Sequence, residues 1–129
     1  MNQSAMTQEI CLNVPADKMY TPVVTLALSG LGMVLGLDVD LLGDLRTVAL
    51  ECLDCLMNQA GRPRSIDMRV WKADGALCVQ FDAKDRERTQ PQDELALEIT
   101  KGVLETLMPE VQLSADEDGV HGIVCSMPV

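Results

Sequence analysis

The chain has 129 residues, 47% of them hydrophobic, and its 20 acidic residues against 10 basic ones leave a net charge of −10. That length makes one domain with a core of its own, and so high an apolar content excludes a disordered chain. The acid excess repels phosphate backbones, and with only Tyr20, Trp71 and Phe81 left to stack on bases, nucleic-acid binding is not expected.

The five cysteines, Cys11, Cys52, Cys55, Cys78 and Cys125, make an odd count, and MNQSAMTQEI has neither the basic segment nor the apolar run of a secretory signal. Reduced thiols in a cytoplasmic protein are expected. The apolar stretch Val23 to Leu37 is about 15 residues, broken by Thr25, Ser29 and glycines, against the ~20 that span a bilayer. No membrane association is expected.

Residues 1–6 read as an N-terminal tail and 7–128 as a single domain. TQEICLNV, residues 7–14, places Ile10, Leu12 and Val14 on one face of a half-buried strand, which Pro15 ends. Thr21 as N-cap and Pro22 at the first helical position open a helix with Val23, Val24, Ala27, Leu28, Leu31 and Leu35 at helical spacing, and Gly36 stops it. Asp38 caps a second helix whose stripe is Leu41, Leu42, Leu45, Val48, Ala49, Cys52, Leu53 and Leu56, ended by Gly61-Arg62-Pro63.

A hairpin follows, with Ile66, Met68 and Val70 alternating in one arm, Leu77, Val79 and Phe81 in the other, and Ala73-Asp74-Gly75 between them. Ala83 to Gln92 is polar and charged and reads as a loop. A third helix runs from about Asp93 to Leu107, with Pro109 just beyond. Val111–Ser114, the turn Asp116-Glu117-Asp118-Gly119 and Val120–Met127 form a last hairpin. The order β-α-α-β-β-α-β-β predicts an α+β two-layer sandwich: a mixed, mostly antiparallel sheet with helices on one face.

LALSGLGMVLGLDVDLLGDLRTVALECLDCLMNQA and KGVLETLMPEVQLSADEDGVHGIVCSMPV, with this element order, resemble the anti-sigma-factor serine kinases of the histidine-kinase-like (Bergerat) ATPase superfamily, over about residues 7 to 127. The resemblance implies the histidine-kinase-like ATPase fold and positions for its chemistry. Glu51 stands at the general-base Glu of the Glu-x-x-x-Asn box, and Cys55 stands where the Asn would hold Mg²⁺. Asp82 stands at the adenine-binding Asp of an Asp-x-Gly motif whose glycine is replaced by Lys84. In ELALEITKG, Leu97, Glu98 and Thr100 replace the glycines that let backbone amides approach phosphate.

These departures have physical consequences. A thiol is a poor ligand for a hard cation. Side chains keep phosphates from the backbone where glycines would admit them, and Glu98 adds like charge, worth about 4 kcal/mol at ~4 Å and an effective dielectric of 20. The charged run Lys84 to Arg88, in the place of the ATP lid, is short for closing over a nucleotide. The expected protein is therefore an anti-sigma-factor-like regulatory module whose ATP binding is lost or weakened, with no cofactor and no metal site. Its implied partners are a sigma factor or a serine-bearing antagonist, and the family's dimers imply a homodimer. The alternative is an active ATP-dependent serine/threonine kinase in which Glu51 and Asp82 act and Asp54 or Asn58 takes the metal. A sensor that uses the remnant pocket for a small ligand is a third possibility.

Each candidate also has a plainer reading. Glu51 can be a polar residue lining a pocket, and Asp82 a solvated strand end. Cys52-Leu53-Asp54-Cys55 spells C-x-x-C, a redox or half-zinc pattern, but two thiols at i and i+3 on a helix with no second pair read as core or pocket lining. Cys11 and Cys78 fall on the polar parity of their strands, towards the open side of the sheet. His121 reads as a turn or strand-edge residue.

Overall fold

The computed structural model describes residues 9–88 and 94–128. The tail 1–6, the first residues of the predicted opening strand, loop residues 89–92 and the predicted helix start at Asp93 lie outside them. Alternation of Ile10, Leu12 and Val14 gives strand β1 (Glu9–Pro15), with Val14 buried.

After Pro15 the Asp17 carboxylate accepts the Met19 N–H at 2.9 Å and caps a short 3₁₀ turn, Lys18–Tyr20. That turn runs straight into α1 (Thr21–Val34), with Pro22 in its first turn. Thr21 is therefore not the N-cap. Its N–H is already taken by the Lys18 carbonyl, and Tyr20 precedes the helix without a side-chain capping bond. The predicted stop holds: Gly36 sits at φ +74°, Leu37 N–H reaches the Gly32 carbonyl at 2.9 Å, and Gly36 N–H reaches Met33 at 3.1 Å.

Asp38 caps α2 (Val39–Met57) by accepting the Leu41 N–H at 2.9 Å. Its buried stripe runs from Leu45 through Val48, Ala49, Cys52, Leu53 and Leu56, with Cys55 and Met57 added. Gly32 of α1 lets Leu42 of α2 lie against the helix backbone; a Cβ there would run into the Leu42 side chain.

The remaining elements are β2 (Gly61–Arg62), β3 (Ser65–Ala73), β4 (Ala76–Lys84), β5 (Glu87–Arg88), α3 (Glu94–Leu107), β6 (Glu110–Asp116) and β7 (Gly119–Pro128). Asp74 and Gly75, at φ 50° and 77°, make the tight turn between β3 and β4. The main sheet has the order β1-β3-β4-β7-β6, and all its neighbours are antiparallel.

The sheet is therefore not mixed. Two helices return the chain from β1 to β3 reversed, β3–β4 and β6–β7 are hairpins, α3 lies between β4 and β6 in the chain, and β4 takes the second arm of the last hairpin as its neighbour. The predicted loop from Ala83 is also partly strand. β3 is long enough to pair Ser65 with Lys84, and Glu87 and Arg88 pair with β2 in a small second sheet.

One face of the five-stranded sheet is apolar, carrying Ile66, Met68, Val70, Leu77, Val79, Phe81, Ile123, Cys125 and Met127, all buried. Packed on it, α2 lies between α1 and α3 and over β4 and β7, while α3 reaches β6. The result is an α+β arrangement of two layers. The other face, opposite the helices, carries Asn13, Asp67, Arg69, Trp71, Gln80 and Asp82. Arg69 pairs with Glu9 at 3.5 Å and lies 6.0 Å from the Trp71 ring centre, and Lys84 pairs with Asp67 at 3.7 Å. Cys11 and Cys78 lie on this side, exposed and half-buried, as their parity predicts.

Candidate functional site

The three predicted site residues do not converge. Glu51 and Cys55 lie one turn apart on α2, in the helix layer. Asp82 lies on β4 beside Phe81, and strand alternation sends its carboxylate to the far side of the sheet. There it accepts a hydrogen bond from Gln80 Nε2 at 2.8 Å and faces Arg69 Nη2 at 3.9 Å. Gly122 on β7 leaves it room: a Cβ at that position would stand 3.0 Å from the other carboxylate oxygen. An adenine held by Asp82 and a hydroxyl activated by Glu51 would lie on opposite faces of the sheet.

Glu51 is half-buried at a hollow of about 340 Å³ lined by Lys18, Thr21, Leu50, Leu53, Asp54 and Met57. The volume suits a small ligand. The lining combines two carboxylates, one ammonium and an apolar floor, which does not suit a triphosphate. The 3₁₀ turn supplies Lys18, a contribution that sequence spacing did not reveal.

Cys55 faces the other flank of α2. It is 4% exposed and borders a gap of about 50 Å³ shared with Asp54, Asn58, Gln59, Ala96, Leu97 and Thr100. This gap between α2 and α3 brings Cys55, at the position of the Mg²⁺-holding Asn, beside Leu97 and Thr100, which replace glycines of the phosphate turn. Burial, and after it the charges of Asp54 and Glu51, push the Cys55 thiol up to about 11, so it stays protonated.

Gln59, buried behind it, donates to the Cys55 carbonyl at 2.8 Å and accepts the Val120 N–H at 2.9 Å, tying the end of α2 to β7. Asp54 and Asn58, the substitutes considered for the metal ligand, bond to each other: Asn58 Nδ2 donates to the Asp54 carbonyl at 2.7 Å and to its carboxylate at 3.1 Å. The α3 residues in place of the glycine turn form ordinary helix. The Cys55 thiol at the metal position is a poor ligand for Mg²⁺, and the α3 side chains stand where a triphosphate would need glycines.

The C-x-x-C pair lies in the core: Cys52 and Cys55 are both buried. The Cys52 thiol is hydrogen-bonded to Cys125, and burial holds it well above the usual thiol range. All five cysteines are free, and no group of three or more His, Cys, Asp or Glu side chains placed to hold a metal ion occurs among the described residues. No helix among them is long and apolar enough to cross a membrane. His121 is half-buried in β7, near the β6–β7 turn. Beside that turn the Arg86 guanidinium grips Asp116, one bond being 3.0 Å, and holds its carboxyl at about 2.

The largest feature missed by sequence reasoning is the outside of α1. Val24, Leu28 and Gly32 are buried, but Leu26 is 71%, Met33 72% and Val34 82% exposed. The signal was present as a helix, residues 21–34, without a single charge. Compared with models of known families and with curated proteins, the chain matches none of them.

Proposed function

We propose that this chain is an anti-sigma-factor-like regulatory protein with a histidine-kinase-like fold, working in the cytoplasm. It holds its partner by surface complementarity and does not phosphorylate it. The supporting observation is the gap between α2 and α3. At about 50 Å³, closed by the Cys55 and Gln59 side of α2 and by Leu97 and Thr100 of α3, it is far below the roughly 300–1,000 Å³ of ligand pockets. A fold kept without its nucleotide chemistry retains its surfaces, and a net charge of −10 draws in a basic partner faster than a neutral one. A sigma factor, or the serine-bearing antagonist that competes for the same module, is the partner class proposed.

The test mixes the protein with a purified sigma factor and with a serine-bearing antagonist, with and without Mg-ATP. It follows complex formation by calorimetry and phosphate transfer by mass spectrometry. The reading expects a complex whose affinity is indifferent to ATP and an antagonist whose mass is unchanged. An antagonist gaining one phosphate on serine would overturn it in favour of an active kinase, and no complex with either protein would remove the partner class.

A further inference from the structure

The hollow beside Glu51 has two walls of different chemistry. At about 100° per residue, Leu53, Met57, Leu50, Asp54 and Glu51 follow one another round α2, so one half of that wall is apolar and the other half carries two carboxylates. The second wall is the 3₁₀ turn and the first residue of α1, which bring Lys18 and Thr21. Among the described residues, the Lys18 ammonium, the Thr21 hydroxyl and the Glu51 carboxylate take part in no hydrogen bond or ion pair. Opposite charges thus line one hollow without neutralising each other across it. We propose that this hollow binds a free α-amino acid with an apolar side chain. Its carboxylate would meet Lys18 and Thr21, its ammonium Glu51 and Asp54, and its side chain Leu50, Leu53 and Met57.

Charge selects this class of ligand. A simple carboxylate would gain Lys18 and be repelled by two carboxylates in a chain of net charge −10, while a simple amine would be repelled by Lys18. A molecule with both charges, held apart as they are in an amino acid, pairs every charged group of the lining. Asp54 has an oxygen to spare for it, because Asn58 donates to only one of the two, Oδ1, at 3.1 Å. The Thr21 N–H is taken by the Lys18 carbonyl, so its hydroxyl is the group left for the ligand's carboxylate.

Size and apolar surface agree with charge. At about 340 Å³ the hollow lies at the small end of the roughly 300–1,000 Å³ of ligand pockets. Leu50 is 47% exposed beside the buried Leu53 and Met57, so an apolar side chain laid on them removes surface from water.

The inference stands apart from the regulatory reading, and its test uses the full chain with no nucleotide or other protein present. Isothermal titration calorimetry follows L-leucine, L-methionine, glycine, N-acetyl-L-leucine and L-leucinamide, each up to about 10 mM, which detects affinities down to about 1 mM. L-leucine and L-methionine are expected to bind one to one. Glycine, which lacks the side chain, and the two leucine derivatives, which each lack one charge, should bind at least tenfold more weakly. Glu51→Gln and Lys18→Met should each weaken L-leucine binding at least tenfold, with the Tm of the unliganded protein unchanged. Leu95→Glu, on the exposed side of α3, should leave binding as in the parent. No heat from either amino acid overturns the inference. So does L-leucinamide or N-acetyl-L-leucine binding as tightly as L-leucine, and so does L-leucine binding that neither Glu51→Gln nor Lys18→Met weakens. Each of these results leaves the proposed function standing.

Discussion

Two flanks of one helix differ in what they leave open. Beside Glu51, on the α1 side of α2, there is a hollow of about 340 Å³; beside Cys55, one turn on and towards α3, about 50 Å³. The closed flank carries Cys55, Leu97 and Thr100, three of the positions the resemblance gives to nucleotide chemistry, and side chains fill it. Gln59 bridges α2 to β7, Asn58 folds back on Asp54, and Leu97 and Thr100 occupy the positions of a glycine turn. The roomy flank has the carboxylates of Glu51 and Asp54 in its lining. The positions that the resemblance assigns are thus divided, Glu51 at the open flank and Cys55 at the closed one.

Substitutions can break or sharpen this contrast. The largest effect is expected from Leu56→Ala, in the fully buried stripe of α2 that carries both flanks. Removing that side chain should cost about 2–5 kcal/mol in chemical denaturation and loosen both sides together. Gln59→Ala acts on the closed flank alone. It strands the Val120 N–H that Gln59 accepts and should cost about 1–3 kcal/mol, an effect a loosely filled gap would not show.

The Arg86–Asp116 pair tests the edge of the molecule by pH. The Asp116 carboxyl lies at about 2, below its ordinary 3.8, so its contribution is complete above that ordinary value and is lost as pH falls towards 2. The difference in Tm between the parent and Asp116→Asn should be constant near neutrality and shrink to nothing across that acidic window. The smallest effect is expected for Glu51→Gln on the open flank, within about ±0.5 kcal/mol, because this half-buried side chain sits at the edge of the hollow.

Much of the fold was legible because periodicity and local turn chemistry are written in the chain. The alternation of Ile66, Met68 and Val70, the Asp38 cap and the Gly36 stop all appear where their residues predict. Elements set by distant partners were not legible. β5 exists because Gly61 and Arg62 offer it an edge, and β4 runs on to Lys84 because β3 does. The site was least legible.

Motif position placed Glu51, Cys55 and Asp82 together, but strand parity sends Asp82 to the opposite face. The same parity rule that placed Cys11 and Cys78 correctly applies to Asp82, two residues on from Gln80. Gln59 carries no motif, and its bond to Val120 joins residues far apart in the chain. The outer face of α1 was visible as a missing charge, which a search for chemistry-bearing residues passes over.

The most direct test of the central claim is thermal unfolding of the full chain with Mg-ATP and with Mg-ADP at millimolar concentration. A nucleotide present at 100 times its Kd adds about 2.7 kcal/mol, roughly 10 °C in Tm for a domain of this size. A closed flank predicts the same Tm with and without either nucleotide. A rise of that size, abolished by Gln59→Trp but not by Asp82→Asn, would show that the gap beside Cys55 opens to nucleotide and would contradict the account.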